Sequence, residues 1–289
     1  MDWEESTLKI ILIGSRGNLG EQLLKSLLQN GNQVVPTSQS KELDEGFIPI
    51  SPWRPFQRQH LDEIDFIINA ANFYRPSPNA LELKDMEDSI LGISETISTS
   101  LPLTKAKIIT FSTYFQYAPE KMKPWSEYSS LKSRAVHALE SACVKHGNSL
   151  TNMVLRDNFG GSRRDKFLDL AISANKTQHI LPASPGESIL NLVHVEDITD
   201  AITRYISSEI PENQFQSGTF EISSKKSYTL KGLIDYIDSL SNKHTNMEWG
   251  SLPYREREVF EEWKCADSFP YFRETRILGD YIKNRLEEE

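Results

Sequence analysis

LKIILIGSRGNLGEQLLKSLLQNG, residues 8–31, passes from an apolar β-rich run into a glycine loop and then into a helix pattern that stops at Gly31. Leu8–Ile13 has the near-continuous apolar character of a strand buried on both faces. Gly14, Gly17 and Gly20 follow at GxxGxxG spacing, a variant of the commoner GxGxxG. Gly14 suits the tight turn, Gly17 lets a pyrophosphate approach the backbone, and Gly20 lets the helix pack closely on the strand. The helix start then offers free N–H groups and a positive dipole end to an anion. The stretch therefore predicts a dinucleotide site made by Gly14, Ser15, Arg16, Gly17, Asn18, Leu19 and Gly20.

Further along, β-rich runs alternate with helix patterns. QVVPT (33–37), DFIINAA (65–71), AKIITFS (106–112) and TNMVLR (151–156) read as strands. Helix patterns lie around 80–99, with an apolar stripe of Met86, Ile90, Ile93 and Ile97, and at 128–146. This alternation predicts an α/β fold, a Rossmann-like doubly wound parallel sheet. After about residue 157 come a helix around 163–174, a Pro/Gly-containing segment at 181–186, NLVHVEDITDAITRYI (191–206), the strand-like GTFEIS (218–223) and a helix from Thr229 to Leu240. His194 reads as a structural residue opening a helix. The expected division is a dinucleotide-binding domain of residues 1–160 plus about 190–223, and a smaller C-terminal lobe of about 161–189 and 224–289.

A net charge of −9 argues against general binding to nucleic acid or anionic membranes. Cys143 and Cys265 are the only cysteines, with neither metal-ligand nor disulfide-framework spacing, which suits a reducing cytoplasm and predicts no metal. The acidic start MDWEESTLKIILI is neither a signal peptide nor a membrane span.

Two segments place a tyrosine four residues before a lysine: YAPEK (117–121) and YSSLK (128–132). Pro119 breaks the first, so Tyr117 and Lys121 do not share a helix face. The second runs into SRAVHALESACVKH, which has no Gly or Pro, and there Tyr128 and Lys132 stack one turn apart. For the dinucleotide, an NAD site usually has an Asp or Glu at the end of the second strand. VVPTSQSK (34–41) has Ser38, Ser40 and Lys41 but no carboxylate, and Arg16 sits inside the glycine loop, where a guanidinium suits a 2′-phosphate. That favours NADP(H), with NAD(H) the alternative if Arg16 and Lys41 are solvated surface charges.

In this order, GxxGxxG, INAAN (68–72), FST (111–113) and YxxxK resemble the short-chain dehydrogenase/reductase superfamily. The length, VLRDNFGG (154–161) and NLVHVEDITDAI (191–202) resemble its extended branch, which acts largely on nucleotide-linked sugars. WGSLPYREREV (249–259) resembles the element that helps hold the sugar nucleotide there. The resemblance implies that Tyr128 is the catalytic acid/base and that Lys132 bonds the nicotinamide ribose and lowers the tyrosine pKa. Thr113 then bonds the reacting oxygen, with Ser112 as rival, and Asn69, Ala70 and Ala71 line the cofactor. It assigns substrate contacts to Phe73, Thr113, Asn158 and Arg255. On extended backbone Arg255 and Arg257 point to opposite sides, and the family pattern selects Arg255. The chain departs from the pattern at Asn158, two rather than three residues after Arg156. Only 15 positions separate Thr113 from Tyr128, so the loop between them is trimmed, and FIPISPWRP (47–55) lacks the usual acid after the third strand.

Dehydratases of this branch follow the active-site Thr with Asp-Glu, whereas Tyr114 and Phe115 stand here. NAANFYRP and FSTYFQY resemble the 4-keto-6-deoxy-sugar reductases. The resemblance thus implies an oxidoreductase that delivers hydride from NADPH to a nucleotide-linked 4-keto-(6-deoxy)hexose, with Tyr128 as general acid. An NAD-retaining epimerase and a non-catalytic NADP-binding protein are the alternatives. It also implies a homodimer through the helices at 80–99 and 128–146, although the apolar stripe would look the same if it only faced the sheet.

Overall fold

A computed structural model describes residues 7–39, 44–75, 78–119, 126–207, 217–255 and 258–288. Strand β1 (Lys9–Ile13) runs through the glycine loop into helix α1 (Asn18–Gln29). Strands β2 (Gln33–Ser38) and β3 (Ile48–Pro49) step outward from it. The chain then crosses back to β4 (Phe66–Asn69), on the other side of β1. Helix α2 (Ala80–Glu87), a π turn (Asp88–Gly92) and helix α3 (Ile93–Ser100) lead to β5 (Lys107–Thr113). A 3-10 turn (Tyr114–Tyr117) follows, then helix α4 (Glu127–His146) and β6 (Leu150–Leu155). The rest comprises β7 (Asp157–Phe159), α5 (Phe167–Thr177), β8 (Leu181–Ala183), β9 (Ile189–His194), α6 (Val195–Ser207), β10 (Gly218–Ile222), β11 (Ser227–Thr229), α7 (Leu230–Ser241), β12 (Met247–Trp249), β13 (Asp267–Ser268) and α8 (Leu278–Glu287).

The main sheet has the order β13-β10-β6-β5-β4-β1-β2-β3, and every neighbouring pair in it is parallel. Helices cover both faces. Ile10 and Leu12 of β1 pack with Leu23 and Leu27 of α1 and with Ile198, Ile202 and Tyr205 of α6. Ile11 and Ile13 point the other way, onto Ile93 and Ile97 of α3 and Leu139 of α4. Alternate side chains of one strand thus fill two cores, which is why the run carries no polar residue after Lys9. Connections leave β1 and β4 in opposite directions, and a crevice opens at the carboxyl ends of these two strands, where ligands bind in open α/β sheets.

The stripe expected on 80–99 is divided by the π turn. Met86 and Ile90 pack on Leu131 and Ala135 of α4, while Ile93 and Ile97 face the sheet. All four are buried within the chain, so the stripe gives no support to a dimer. Residues 189–194 form β9 in a small sheet of order β11-β9-β7, and His194 both ends that strand and opens α6, whose Glu196 N–H its ring accepts. Helix α6 packs on the large lobe, and β13 adds residues 267–268 to the main sheet beside β10. The small lobe gathers Leu168, Ile172, Leu233, Ile237 and Ile282 around Phe159.

The joint between β1 and α1 has no spare volume. A Cβ on Gly20 would stand 2.0 Å from the Gly14 carbonyl oxygen, whereas one on Gly31, at φ +76, would meet nothing within 4 Å. Gly20→Ala is expected to cost about 3 kcal/mol or more, because backbone must move to admit the methyl. Gly31→Ala should cost only the left-handed backbone penalty, about 1–2 kcal/mol. Urea unfolding of the two variants checks the difference, and equal costs would show that the joint is slack.

Candidate active site

At the mouth of the crevice Gly14 takes φ +82, and a Cβ there would lie 2.5 Å from the Ala71 nitrogen. Gly14 and Gly20 are thus demanded by the fold itself. Gly17 is under less pressure: a Cβ on it would sit 3.3 Å from the Gly14 oxygen. Gly17 also starts α1 with no side-chain cap, leaving first-turn N–H groups for an anion. The Ser15 hydroxyl in this loop is buried without a partner among the described residues, as is that of Thr37 near the end of β2. A bare glycine, an uncapped helix and an orphaned hydroxyl suit a dinucleotide pyrophosphate. Asn69 ends β4, and its side chain accepts the Ala71 N–H at 3.2 Å, shaping the Asn69-Ala70-Ala71 wall opposite Gly14.

Asn18 has a second task. Its amide donates to the Gly160 carbonyl at 3.1 Å and accepts the N–H groups of Ser162 at 2.9 Å and Arg163 at 3.2 Å. The glycine loop is thereby tied to the connection between the lobes. Arg16 is paired with Asp44 and lies 5.1 Å above the Phe47 ring. Asp44 is the carboxylate that the end of β2 lacks. It stands six positions past Ser38, which is buried, and nothing in its local pattern marks it. Lys41 lies outside the described residues.

Tyr128 and Lys132 share a face of α4. Ser126 caps this helix, and its hydroxyl accepts the Ser129 N–H at 3.3 Å. Lys132 is buried and donates to the Phe111 carbonyl of β5 at 3.1 Å. Burial pushes its amine down to about 8. The amine lies 6.0 Å from the Tyr128 ring centre, and Tyr74 meets that ring edge-on at 5.0 Å. Phe73 packs into the same cluster beneath Arg75. Tyr74 was not expected in the site; its place next to Phe73 in NAANFYRP was the only sequence signal for it. Thr113 ends β5, two residues beyond the carbonyl that holds Lys132, and its N–H donates to Gln116 at 3.0 Å. Strand alternation turns Ser112 toward the α4 side, where its buried hydroxyl has no partner among the described residues, so it keeps its claim as rival. Tyr117 is otherwise engaged: its hydroxyl accepts from Asn152 at 2.9 Å, and Lys121 lies outside the described residues.

Across the crevice, Asn158 lies on β7, and its backbone and side-chain oxygens both accept from the Lys166 amine. The Glu258 N–H donates to the Arg255 carbonyl at 3.0 Å, and the Glu258 carboxylate accepts the Arg255 N–H at 3.1 Å. Arg255 is exposed, and Arg257, with the alternation expected between the two, lies outside the described residues. His194 accepts the Glu196 N–H on Nδ1 and packs edge-on to Phe159. Burial lowers its pKa, as befits a neutral structural ring. Among the described residues no three His, Cys, Asp or Glu side chains form a metal cluster, and no helix is long and apolar enough to cross a membrane.

A strand, glycine loop and helix at a switch point, with a Tyr–Lys pair on a neighbouring helix, define a nucleotide-binding protein of the Rossmann class. The chain belongs to the NAD-dependent epimerase/dehydratase family, whose model matches residues 10–218. It is 24% identical over 292 residues to a CDP-abequose synthase of Yersinia pseudotuberculosis, covering 98% of this chain and 95% of that one. Its fold is similar to a UDP-glucuronic acid 4-epimerase from Bacillus cereus solved with UDP-glucuronic acid and NAD (TM-score 0.77, 17% identity, 97% and 98% of the chains covered). It is also similar to TunA, an NAD-dependent NDP-hexosamine 5,6-dehydratase (TM-score 0.74, 17% identity, 97% of each chain).

The lowered Lys132 pKa has a measurable consequence. Between about 8 and the usual 10.5 the folded protein binds fewer protons than the unfolded chain, so this residue makes stability rise with pH across that window. The stability difference between wild type and Lys132→Met should grow in favour of wild type by on the order of 2 kcal/mol from about pH 7.5 to about pH 10. Urea unfolding at both ends of the range tests it, and a constant difference would show that the amine titrates normally.

Proposed function

We propose that the protein is an NADPH-dependent reductase of a nucleotide-linked 4-keto-(6-deoxy)hexose. The observation that carries this reading is the pairing of Tyr128 with a buried Lys132 anchored on the strand that ends in Thr113, followed by Tyr114 and Phe115. Tyr114 is buried with its hydroxyl 3.4 Å from Asp157, and Phe115 has no titratable group, so the residues after Thr113 do not furnish the acid–base pair that loss of water requires. The relatives support the substrate class: one is named for a CDP-linked sugar, and another was solved with a UDP-linked one.

The glycine loop, Asn69, Ala70 and Ala71 would hold the dinucleotide, which when bound supplies the hydride. Tyr128 gives the phenolic proton to the carbonyl oxygen as that carbon is reduced, producing an alcohol and a phenolate. Lys132, charged below about pH 8, stabilises the phenolate. The Thr113 hydroxyl orients the oxygen. Tyr74 and Phe73 border the tyrosine and keep water from that side.

NADP(H) over NAD(H) rests on Arg16, for which a 2′-phosphate would compete with Asp44. Both side chains are more than half exposed, 56% and 66%, so their ion pair is worth only about 0.2–1 kcal/mol. A charged hydrogen bond to phosphate is worth about 1.5–3 kcal/mol and displaces the carboxylate. An NAD-retaining epimerase is the second reading, favoured by Asp44 itself and by a structural neighbour solved with NAD.

Following NADPH oxidation with a nucleotide-linked 4-keto-6-deoxyhexose tests the reaction. Tyr128→Phe should reduce turnover by at least about 100-fold and Tyr117→Phe by far less. Equal losses, or turnover of the free sugar as fast as the linked one, would overturn the reading. Protein that purifies with bound NAD and interconverts sugar nucleotides without added cofactor would establish the epimerase.

Cofactor choice is tested separately by titration. Arg16→Ala should shift the preference for NADPH over NADH by about 10- to 100-fold toward NADH. Asp44→Asn should improve NADPH binding severalfold. If neither variant moves the ratio, the pair does not read the 2′-phosphate.

A further inference from the structure

We propose that Tyr74 is a positioning residue that holds the Tyr128 ring beside the Lys132 amine, so that the phenol meets the reacting oxygen in one orientation. This rests on the reductase reading above. The need for such a residue follows from where Tyr128 stands on its helix. An aromatic side chain in a helix leans toward the N-terminus and rests on the preceding turn. Tyr128 is the second residue of α4, and the cap Ser126 is extended at φ −89 and ψ 160 minus two degrees, that is 158, so no earlier turn of α4 lies beneath the ring. Lys132 is placed differently. A turn of α4 precedes it, and its amine is fixed by the Phe111 carbonyl at 3.1 Å. One member of the pair is thus anchored by its own helix and a strand, and the other needs support from outside the helix.

Tyr74 supplies that support. Its ring centre lies 5.0 Å from that of Tyr128 with the planes at 72°, the edge-to-face geometry that aromatic pairs favour. Phe73 and Leu83 pack in one cluster with Tyr128 and the buried Met86 and Leu131. The backbone at Tyr74 is held by Arg75. That guanidinium donates to the Tyr74 carbonyl at 3.3 Å, lies 4.6 Å above the Phe73 ring and pairs with Glu82 at 3.3 Å. Glu82 in turn accepts the Asn79 N–H at 3.1 Å and closes the capping box of α2. The stretch that carries Tyr74 to α4 is therefore tied to the start of α2. Leucine would fill much of the same space as Tyr74 but offers no ring edge, and this separates packing from positioning.

NADPH oxidation by the full chain with CDP-4-keto-6-deoxyglucose and with its UDP counterpart tests the inference, together with crystal structures of the variants. Tyr74→Leu should lower kcat about three- to tenfold, the scale of one edge-to-face contact, with KM and NADPH affinity within about twofold of wild type. Tyr74→Phe keeps the ring and should restore kcat. In a Tyr128→Phe background, Tyr74→Leu should change turnover less than about twofold, since Tyr74 acts through that phenol. In the crystal the Tyr128 ring should leave its place beside Lys132 in Tyr74→Leu and keep it in Tyr74→Phe. Tyr74→Met takes the place of Tyr74→Leu if the latter does not fold. A raised KM with unchanged kcat, an equal loss in Tyr74→Phe, an undiminished effect in the Tyr128→Phe background or an unmoved Tyr128 ring would overturn the positioning role while the reductase reading stands. Failure of the wild type to reduce either sugar would overturn the reductase reading, and the place of the ring in the variant crystals would then decide the positioning role by itself.

Discussion

The contact between the Gly14 carbonyl and the first turn of α1 is the constraint on which the rest of the molecule depends. A methyl group at position 20 has no room beside that oxygen, and one at position 14 has none beside Ala70 and Ala71. Three backbone segments therefore meet closer than side chains permit: the end of β1, the start of α1 and the end of β4. Their meeting point is where the sheet order reverses, so the tightest packing in the fold also forms the floor of the ligand crevice. An uncapped helix and an unpartnered Ser15 hydroxyl would be liabilities in a closed core. At the mouth of a crevice, solvent or a ligand can satisfy them.

The second feature that shapes the site is a buried cation. Lys132 has its amine in a low-dielectric setting with the Phe111 carbonyl as its hydrogen-bond partner. Burying an ammonium with no carboxylate beside it costs stability, which appears here as a pKa pushed down to about 8. Such a cost is kept where the charge serves chemistry. Its proximity to Tyr128, with Tyr74 and Phe73 closing one side of the ring, is consistent with a phenol that must give up and recover a proton.

The lobes are joined by polar contacts as well as by apolar ones. Arg156 at the end of β6 pairs with Glu221 of β10 in a buried ion pair, donates to the Trp263 carbonyl and lies 4.9 Å from the Tyr114 ring centre. Removing one partner of such a pair typically costs about 3–5 kcal/mol, because the other is left charged and buried. This cluster packs the C-terminal segment around Val259 and Trp263 on the residues that follow Thr113. The Tyr114 and Phe115 side chains therefore pack between β6 and the C-terminal segment. The connection from Asn158 to Lys166 is tied to the glycine loop by Asn18.

Much of this was legible in the sequence because it rests on local periodicity. The apolar run of β1, the GxxGxxG turn, the alternation of strands and helices and the Tyr128–Lys132 spacing each depend on residues within one or two turns of one another. Pro119 marked the one tyrosine–lysine spacing of the two that a helix cannot carry. What sequence could not supply are partners brought together across the chain. Asp44 reaches Arg16 from 28 positions away, Asn18 ties to Gly160 across 142, and β13 joins the main sheet through β10. The π turn that divides the stripe on 80–99 was likewise invisible, since it answers to packing that exists only in the folded chain. The sequence by itself determined the class of fold and the placing of Tyr128 and Lys132 on one helix face, because strand and helix periods and glycine sterics are local. The tertiary structure decided which charges and which hydrogen-bonding groups meet, because such partners are set by distance in space.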